Sequence, residues 1–157
     1  MNEVEIGLTK RAIRGYSFDD VAVIPSRRTR DPEDVSVSWT IDAFTFDMPV
    51  IAAPMDSVMS PESAIALGKL GGLGVLNLEG LWTRYEDPSA AYDEIAAFSE
   101  DDVTAGLQRI YAEPIKEELI TSRLQQIRDA GVPVAGALSP QRTREFSSTV
   151  LSAGVDL

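Results

Sequence analysis

PVIAAPMDSVMSPESAIALGKLGGLGVLNLEG, residues 49–80, decides the fold. Two short apolar runs, 49–53 and 73–78, flank one amphipathic segment, with a turn signal at every junction. The first run lies between Pro49 and Pro54 and reads as a short buried strand. Ser60 followed by Pro61 is a helix start: a hydroxyl that can cap free backbone N–H groups, then a ring whose fixed φ suits the first helical position. Ala64, Ile65, Leu67 and Leu70 supply the expected buried face. Gly71 and Gly72 stop the helix, where positive φ costs glycine little. Strand, helix, strand within about thirty residues is a β-α-β unit, the builder of parallel sheets. Ligands in that architecture bind where loops leave the strand ends. Residues 54–59 and 77–80 are therefore the expected site loops.

The phrasing continues downstream. Trp82, Arg84 and Tyr85 follow the second run, placed to pack the loop, meet a subunit, or stack on a flat ligand. Asp87-Pro88 opens a helix with Tyr92, Ile95 and Ala96 on one face. A polar link, 98–102, leads to a helical segment at 108–112. Glu113-Pro114 begins a long helix to about Asp129, with Pro114 in its first turn and Ile120, Leu124 and Ile127 as its buried stripe. Residues 132–138 form a third apolar run, in which Pro133 is tolerable only at the strand start. Ser139-Pro140 starts another helix, with Thr143, Phe146 and Val150 on one side, and Ala153-Gly154 ends it. Val155, Asp156 and Leu157 then begin something apolar. Three strands and a half-started fourth leave an open sheet edge, so a truncated architecture is expected.

Upstream the signal is weaker. Val4, Ile6 and Leu8 alternate enough to permit a short edge strand. Residues 18–24 read as a short strand or extended segment ended by Pro25. Arg27, Arg28 and Arg30 precede Asp31, Glu33 and Asp34, a solvated loop or else an anion or partner contact. Val35, Val37, Trp39 and Ile41 alternate with Ser36, Ser38 and Thr40, the period of a half-buried strand. Residues 1–48 are thus an N-terminal arm with short strands, and 49–157 the main α/β body.

Composition narrows the function. At 157 residues, 44% apolar and 25% charged, the chain suits one soluble domain. A net charge of -11 argues against nucleic-acid or anionic-membrane binding, which need a positive field. Small anionic ligands remain compatible, because backbone N–H groups can hold them on an acidic protein. No cysteine is present, so neither disulfide nor thiol chemistry arises within the chain. The absence of histidine removes the commonest general base and zinc ligand. No residues here are assigned a catalytic step or a metal. Neither a membrane-length apolar run nor a signal-peptide pattern occurs, which makes the cytoplasm the default location.

Three stretches occur in order: YSFDDVAVIP at 16–25, PVIAAPMDSV at 49–58 and GGLGVLN at 71–77. Together they resemble the inosine monophosphate (IMP) dehydrogenase and guanosine monophosphate (GMP) reductase superfamily. LNLEGLWTRYEDP at 76–88, IYAEPIK at 110–116 and ALSPQR at 137–142 resemble its dehydrogenase-related branch lacking cystathionine-synthase-type domains. The resemblance implies a TIM (β/α)8 barrel, with residues 49–157 as its first part, cut after about three and a half βα units. It implies a purine nucleotide at the strand ends, with Ala53 and Met55 on the substrate side and Asn77 on the cofactor side. The implied activity is IMP oxidation to xanthosine monophosphate with NAD. A GMP reductase-like enzyme using NADP, or a non-catalytic nucleotide-binding relative, is the alternative. The family's chemistry uses a cysteine nucleophile from a later loop, so the chain alone is expected to be inactive. A monovalent cation and a homo-oligomer, tetramer or octamer, are implied for the full-length protein. Glu79 and Trp82 depart from the family's usual second-loop pattern.

Overall fold

The structure, a computed structural model, describes residues 3–5, 8, 10–25 and 30–157. Ile6, Arg27 and Arg28, named above, lie outside the described residues. The chain divides into two compact units, one ending at Ser36 and one spanning Val37–Leu157.

In the first unit, strand β1 (Glu3–Glu5) pairs antiparallel with β2 (Arg11–Ile13), Val4 opposite Ala12. The strand or extended segment expected at 18–24 is instead a 3-10 turn, Phe18–Asp20, followed by irregular chain. The Asp20 carboxylate accepts from both the backbone N–H and the hydroxyl of Ser17 (both 2.9 Å), which closes a tight turn where the pattern suggested extension. Those contacts hold the Asp20 pKa below its ordinary value, the backbone hydrogen bond contributing most.

The second unit opens with a hairpin, β3 (Trp39–Ile41) against β4 (Phe44–Phe46). Its turn places Asp42 at φ 50, a left-handed position that aspartate tolerates better than most residues. The alternation read over 35–41 yields strand only from Trp39, and Val35 and Val37 are exposed. Trp39 is held by stacking on Phe46 (4.8 Å between ring centres) and by donating from Nε1 to the Met48 carbonyl (2.8 Å). The two valines have no such anchor in the hairpin.

Strand β5 (Ile51–Ala52), helix α1 (Pro61–Lys69) and strand β6 (Leu73–Asn77) are the β-α-β unit read in residues 49–80. Ser60 Oγ accepts from Ser63 N (3.0 Å), Pro61 stands at the helix start, and Gly71 takes φ +88. Leu70, expected on the buried face, is 67% exposed, because the helix ends with it and turns it outward. Helices α2 (Ser89–Ala96), α3 (Val103–Ile110) and α4 (Glu117–Asp129) follow, then β7 (Ala135–Ala137) and α5 (Pro140–Ser152). Helix α3 starts earlier than the segment expected at 108–112, and α4 starts after Lys116 rather than at Pro114. The reason is tertiary: Lys116 N donates to the Thr83 carbonyl (2.8 Å), which holds 111–116 as a turn and an irregular link rather than as helix.

The sheet order is β5-β6-β7, and every pair is parallel. Beyond β7 the chain keeps adding to the sheet: Leu157 N donates to the Val134 carbonyl and Gly136 N to the Leu157 carbonyl (both 3.2 Å). Strand alternation sends Gly74 and Leu76 toward the helices, opposite Leu73, Val75 and Asn77. A Cβ on Gly74 would lie 2.6 Å from Ala64 Cα, so its absence sets how closely α1 lies on β6. The main core is Leu76, Leu78, Ile120, Leu124, Ile127 and Val134, all 0% exposed, with Phe146 and Val150 from α5. Phe46, Leu73 and Ala135 form a second cluster, through which the hairpin covers the starts of β6 and β7.

Candidate functional site

Three loops leave the carboxyl ends of β5, β6 and β7, and the sequence-read site residues lie on the first two. Ala53 directly follows β5 and is exposed; its carbonyl accepts from Met55 N (2.8 Å). That bond, with Met59 N donating to the Met55 carbonyl (2.8 Å), winds 53–59 into a compact turn. Met55 is 53% exposed and borders an apolar cavity of about 330 Å3, whose wall also includes Leu81, Tyr92, Ile95 and Tyr111. Asn77 ends β6 on the face opposite the helices. Its Oδ1 accepts from Glu79 N (3.0 Å), and its Nδ2 stands 3.5 Å from Asp56 Oδ1.

Asp56 binds these pieces together. Its Oδ2 accepts from Leu81 N (3.0 Å) and from the Tyr111 hydroxyl (2.5 Å). Its backbone carbonyl accepts from the Tyr92 hydroxyl (2.9 Å). One residue thus fastens the loop after β5 to the loop after β6 and to both α2 and the end of α3. Most of the carboxylate's lone pairs are committed, so it acts here as a bracket rather than as a free base. Gly80 is required beside it, since a Cβ there would fall 1.9 Å from Asp56 Oδ1. Burial, and then the hydrogen bond to Asp56, push the Tyr111 phenol well above its ordinary value. Burial, and then the Asp56 charge, also raise the Tyr92 phenol above its ordinary value.

The loop after β6 is held from several sides. Buried Thr83 donates to the carbonyls of Leu78 (3.0 Å) and Gly80 (3.1 Å). Arg84 Nε donates to the Glu79 carbonyl (3.0 Å) and Nη1 to the Glu113 carbonyl. Trp82 packs under the Arg123 guanidinium (5.3 Å to the ring centre), and Arg123 Nε donates to the Trp82 carbonyl (3.1 Å). Of the readings open for Trp82, the structure shows packing. Glu79 accepts from Ser139 N through its carboxylate, so it caps the start of α5. Tyr92, Tyr111 and Arg142 join this region although the sequence singled out none of them as a site residue: Tyr92 read as a helix-face residue, and Tyr111 and Arg142 only as members of the 110–116 and 137–142 motifs. They come from helices whose phase relative to the sheet no local pattern encodes.

Among the described residues, no group of three acidic, histidine or cysteine side chains could hold a metal ion, and no helix is long and apolar enough to cross a membrane.

Comparison with known proteins bears on this geometry. Residues 15–90 match the family model of the IMP dehydrogenase / GMP reductase domain. Over 98% of its length the chain is 45% identical to an uncharacterized oxidoreductase of Mycolicibacterium smegmatis. It is 41% identical over 66 residues, 42% of the chain, to an inosine-5'-monophosphate dehydrogenase of Methanocaldococcus jannaschii. The crystal structure of an IMP dehydrogenase/GMP reductase-like protein from Corynebacterium glutamicum superposes with a TM-score of 0.83, at 47% identity over 98% of the chain. The chain belongs to the IMP dehydrogenase / GMP reductase superfamily. It spans 42% of the M. smegmatis relative and 43% of the C. glutamicum chain. For a superfamily member, the three parallel strands with helices packed behind them and loops gathered at one end are the expected core.

Proposed function

We propose that this chain forms the first β/α units of a TIM (β/α)8-barrel oxidoreductase that acts on purine nucleotides, most simply by oxidising IMP with NAD. The dehydrogenase-related branch without cystathionine-synthase-type domains is its proposed place in the superfamily. One observation carries the reading: in a superfamily chain, the loop that starts at Ala53 leaves the carboxyl end of a parallel strand and places Met55 in the wall of an apolar cavity. A purine is flat and largely apolar on its faces, so an exposed thioether is a suitable neighbour for it. Ala53 and Met55 are proposed to border the base. Asn77 is proposed for the cofactor side; its amide already holds the Glu79 turn, so its part is to shape that edge.

Bound NAD would supply the hydride acceptor. This chain's own residues contribute shape and exclusion of water: the Asp56 bracket keeps the loop after β5 in place, and Tyr92 and Tyr111 wall the cavity. The chain contains no cysteine, so the nucleophile of the proposed reaction comes from elsewhere in the protein. The chain alone is therefore expected to turn over neither nucleotide.

The test uses the protein that joins this chain to the remaining length its relatives possess. NADH formation at 340 nm with IMP supports the dehydrogenase, and NADPH consumption with GMP supports the reductase alternative. Failure of both rejects the reading. In an active protein, Met55→Ala is expected to raise the nucleotide KM about tenfold through lost apolar contact, with no change in the unfolding midpoint. A changed midpoint with an unaltered KM would assign Met55 to packing alone.

A further inference from the structure

A second cavity, of about 410 Å3, lies at the ends of β6 and β7, on the other side of Tyr111 from the Met55 cavity. Arg84, from the loop after β6, and Arg142, from the first turn of α5, both line it, with Pro114, Glu145 and Phe146. Two guanidiniums facing one space is unusual in a chain whose net charge is -11.

Neutral partners hold Arg84 in place. Its Nε and Nη1 donate to the Glu79 and Glu113 carbonyls, and its guanidinium stands 5.7 Å from the centre of the Tyr111 ring. Among the described residues, no carboxylate forms an ion pair with it. Burial, and next the nearby Arg142 charge, hold its pKa below the ordinary value, although Tyr111, Glu79 and Asp56 act the other way. The Glu79 and Asp56 carboxylates are occupied with Ser139 N, and with Leu81 N and the Tyr111 hydroxyl. Arg142 pairs through Nη1 with Glu145 (2.7 Å), three residues along the same helix, with both side chains about half exposed. Such a pair is weak and open to exchange with a stronger acceptor. A guanidinium presents its N–H groups as a planar fork that fits two oxygens of a tetrahedral oxyanion.

We propose that Arg84 and Arg142 form a binding site for a phosphate-class oxyanion. Arg84 is the preorganised half, fixed by backbone carbonyls, and Arg142 is the mobile half that leaves Glu145 to close on the anion. The site lies within the 157-residue chain and does not depend on which nucleotide, if any, the protein oxidises.

The probe is inorganic pyrophosphate, titrated calorimetrically into the 157-residue chain at low ionic strength. Saturable binding at one equivalent is expected. Arg142→Gln should weaken it about tenfold or more, the loss of one charge-assisted contact. Arg144→Gln, an equal charge change at an exposed neighbour on the same helix, should alter it less than about twofold. The Arg142 side chain is about half exposed and its ion pair is with Glu145 on the same helix, so its variant is expected to keep the fold; circular dichroism checks this before titration. Absence of saturable binding overturns the proposal. Equal weakening by Arg142→Gln and Arg144→Gln also overturns it, since general charge would then be the cause.

Discussion

Asp56 shows how one side chain can set the shape of a site without reacting in it. Removing its carboxylate leaves Leu81 N and the Tyr111 hydroxyl without their acceptor in a half-buried setting. Asp56→Ala is expected to cost about 2–3 kcal/mol, measured as the change in urea unfolding free energy. A loss below about 0.5 kcal/mol would mean that water replaces the carboxylate at little cost. Tyr111 adds a pH dependence. Its phenol is raised above the ordinary 10.0 in the folded protein, so the unfolded chain releases this proton first as pH climbs. The Tyr111 contribution is fully present below pH 10.0 and falls as pH rises beyond it. Between about pH 9 and about pH 11 the urea midpoint should therefore drop less steeply in Tyr111→Phe than in the parent chain, even though the variant starts lower. Parallel slopes would sink the assignment.

Among the elements, α1 follows its local sequence most directly. Its cap, its first-turn proline and its glycine stop all appear as the chain chemistry dictates. Ser60→Ala should lose about 1 kcal/mol, because Ser63 N then faces no side-chain acceptor. An unchanged melting curve would show that the helix end is satisfied by solvent. By contrast, α4 begins at Glu117, three residues past Pro114. Proline suits a first helical turn, yet the Lys116–Thr83 backbone bond and the Arg84–Glu113 contact claim that stretch for the loop after β6. Local propensity lost to two long-range contacts. Val35 and Val37 failed for the opposite reason: a two-residue period was present, but among the described residues no partner strand extends to them.

For the whole molecule, the two units differ in how much they bury. Among the described residues up to Ser36, none is buried, and Phe18 and Val23 are 98% and 97% exposed. Among the described residues, the buried core lies in the second unit. Limited trypsin digestion is expected to cut at Arg14 or Arg30 well before any site in Val37–Leu157, leaving a resistant fragment whose mass identifies it. Simultaneous loss of both units would show that they protect each other. The second unit also leaves Ile51, Val58 and Leu151 exposed at 54%, 49% and 71%.

The parallel β-α-β core could be read from residues 49–80 because each of its signals is local. Hydrophobic period, a Ser-Pro cap and a Gly stop act within a few residues of themselves, and 120, 124 and 127 form a buried stripe for the same reason. The superfamily could be read too, since its motifs are short and contiguous. The Asp56–Tyr111 bond joins residues 55 apart, and Arg84 faces Arg142 across a cavity made by two different βα units. Those meetings depend on the angle at which helices pack onto a sheet. That angle is set by side-chain volumes summed over the core, which no short stretch of sequence contains.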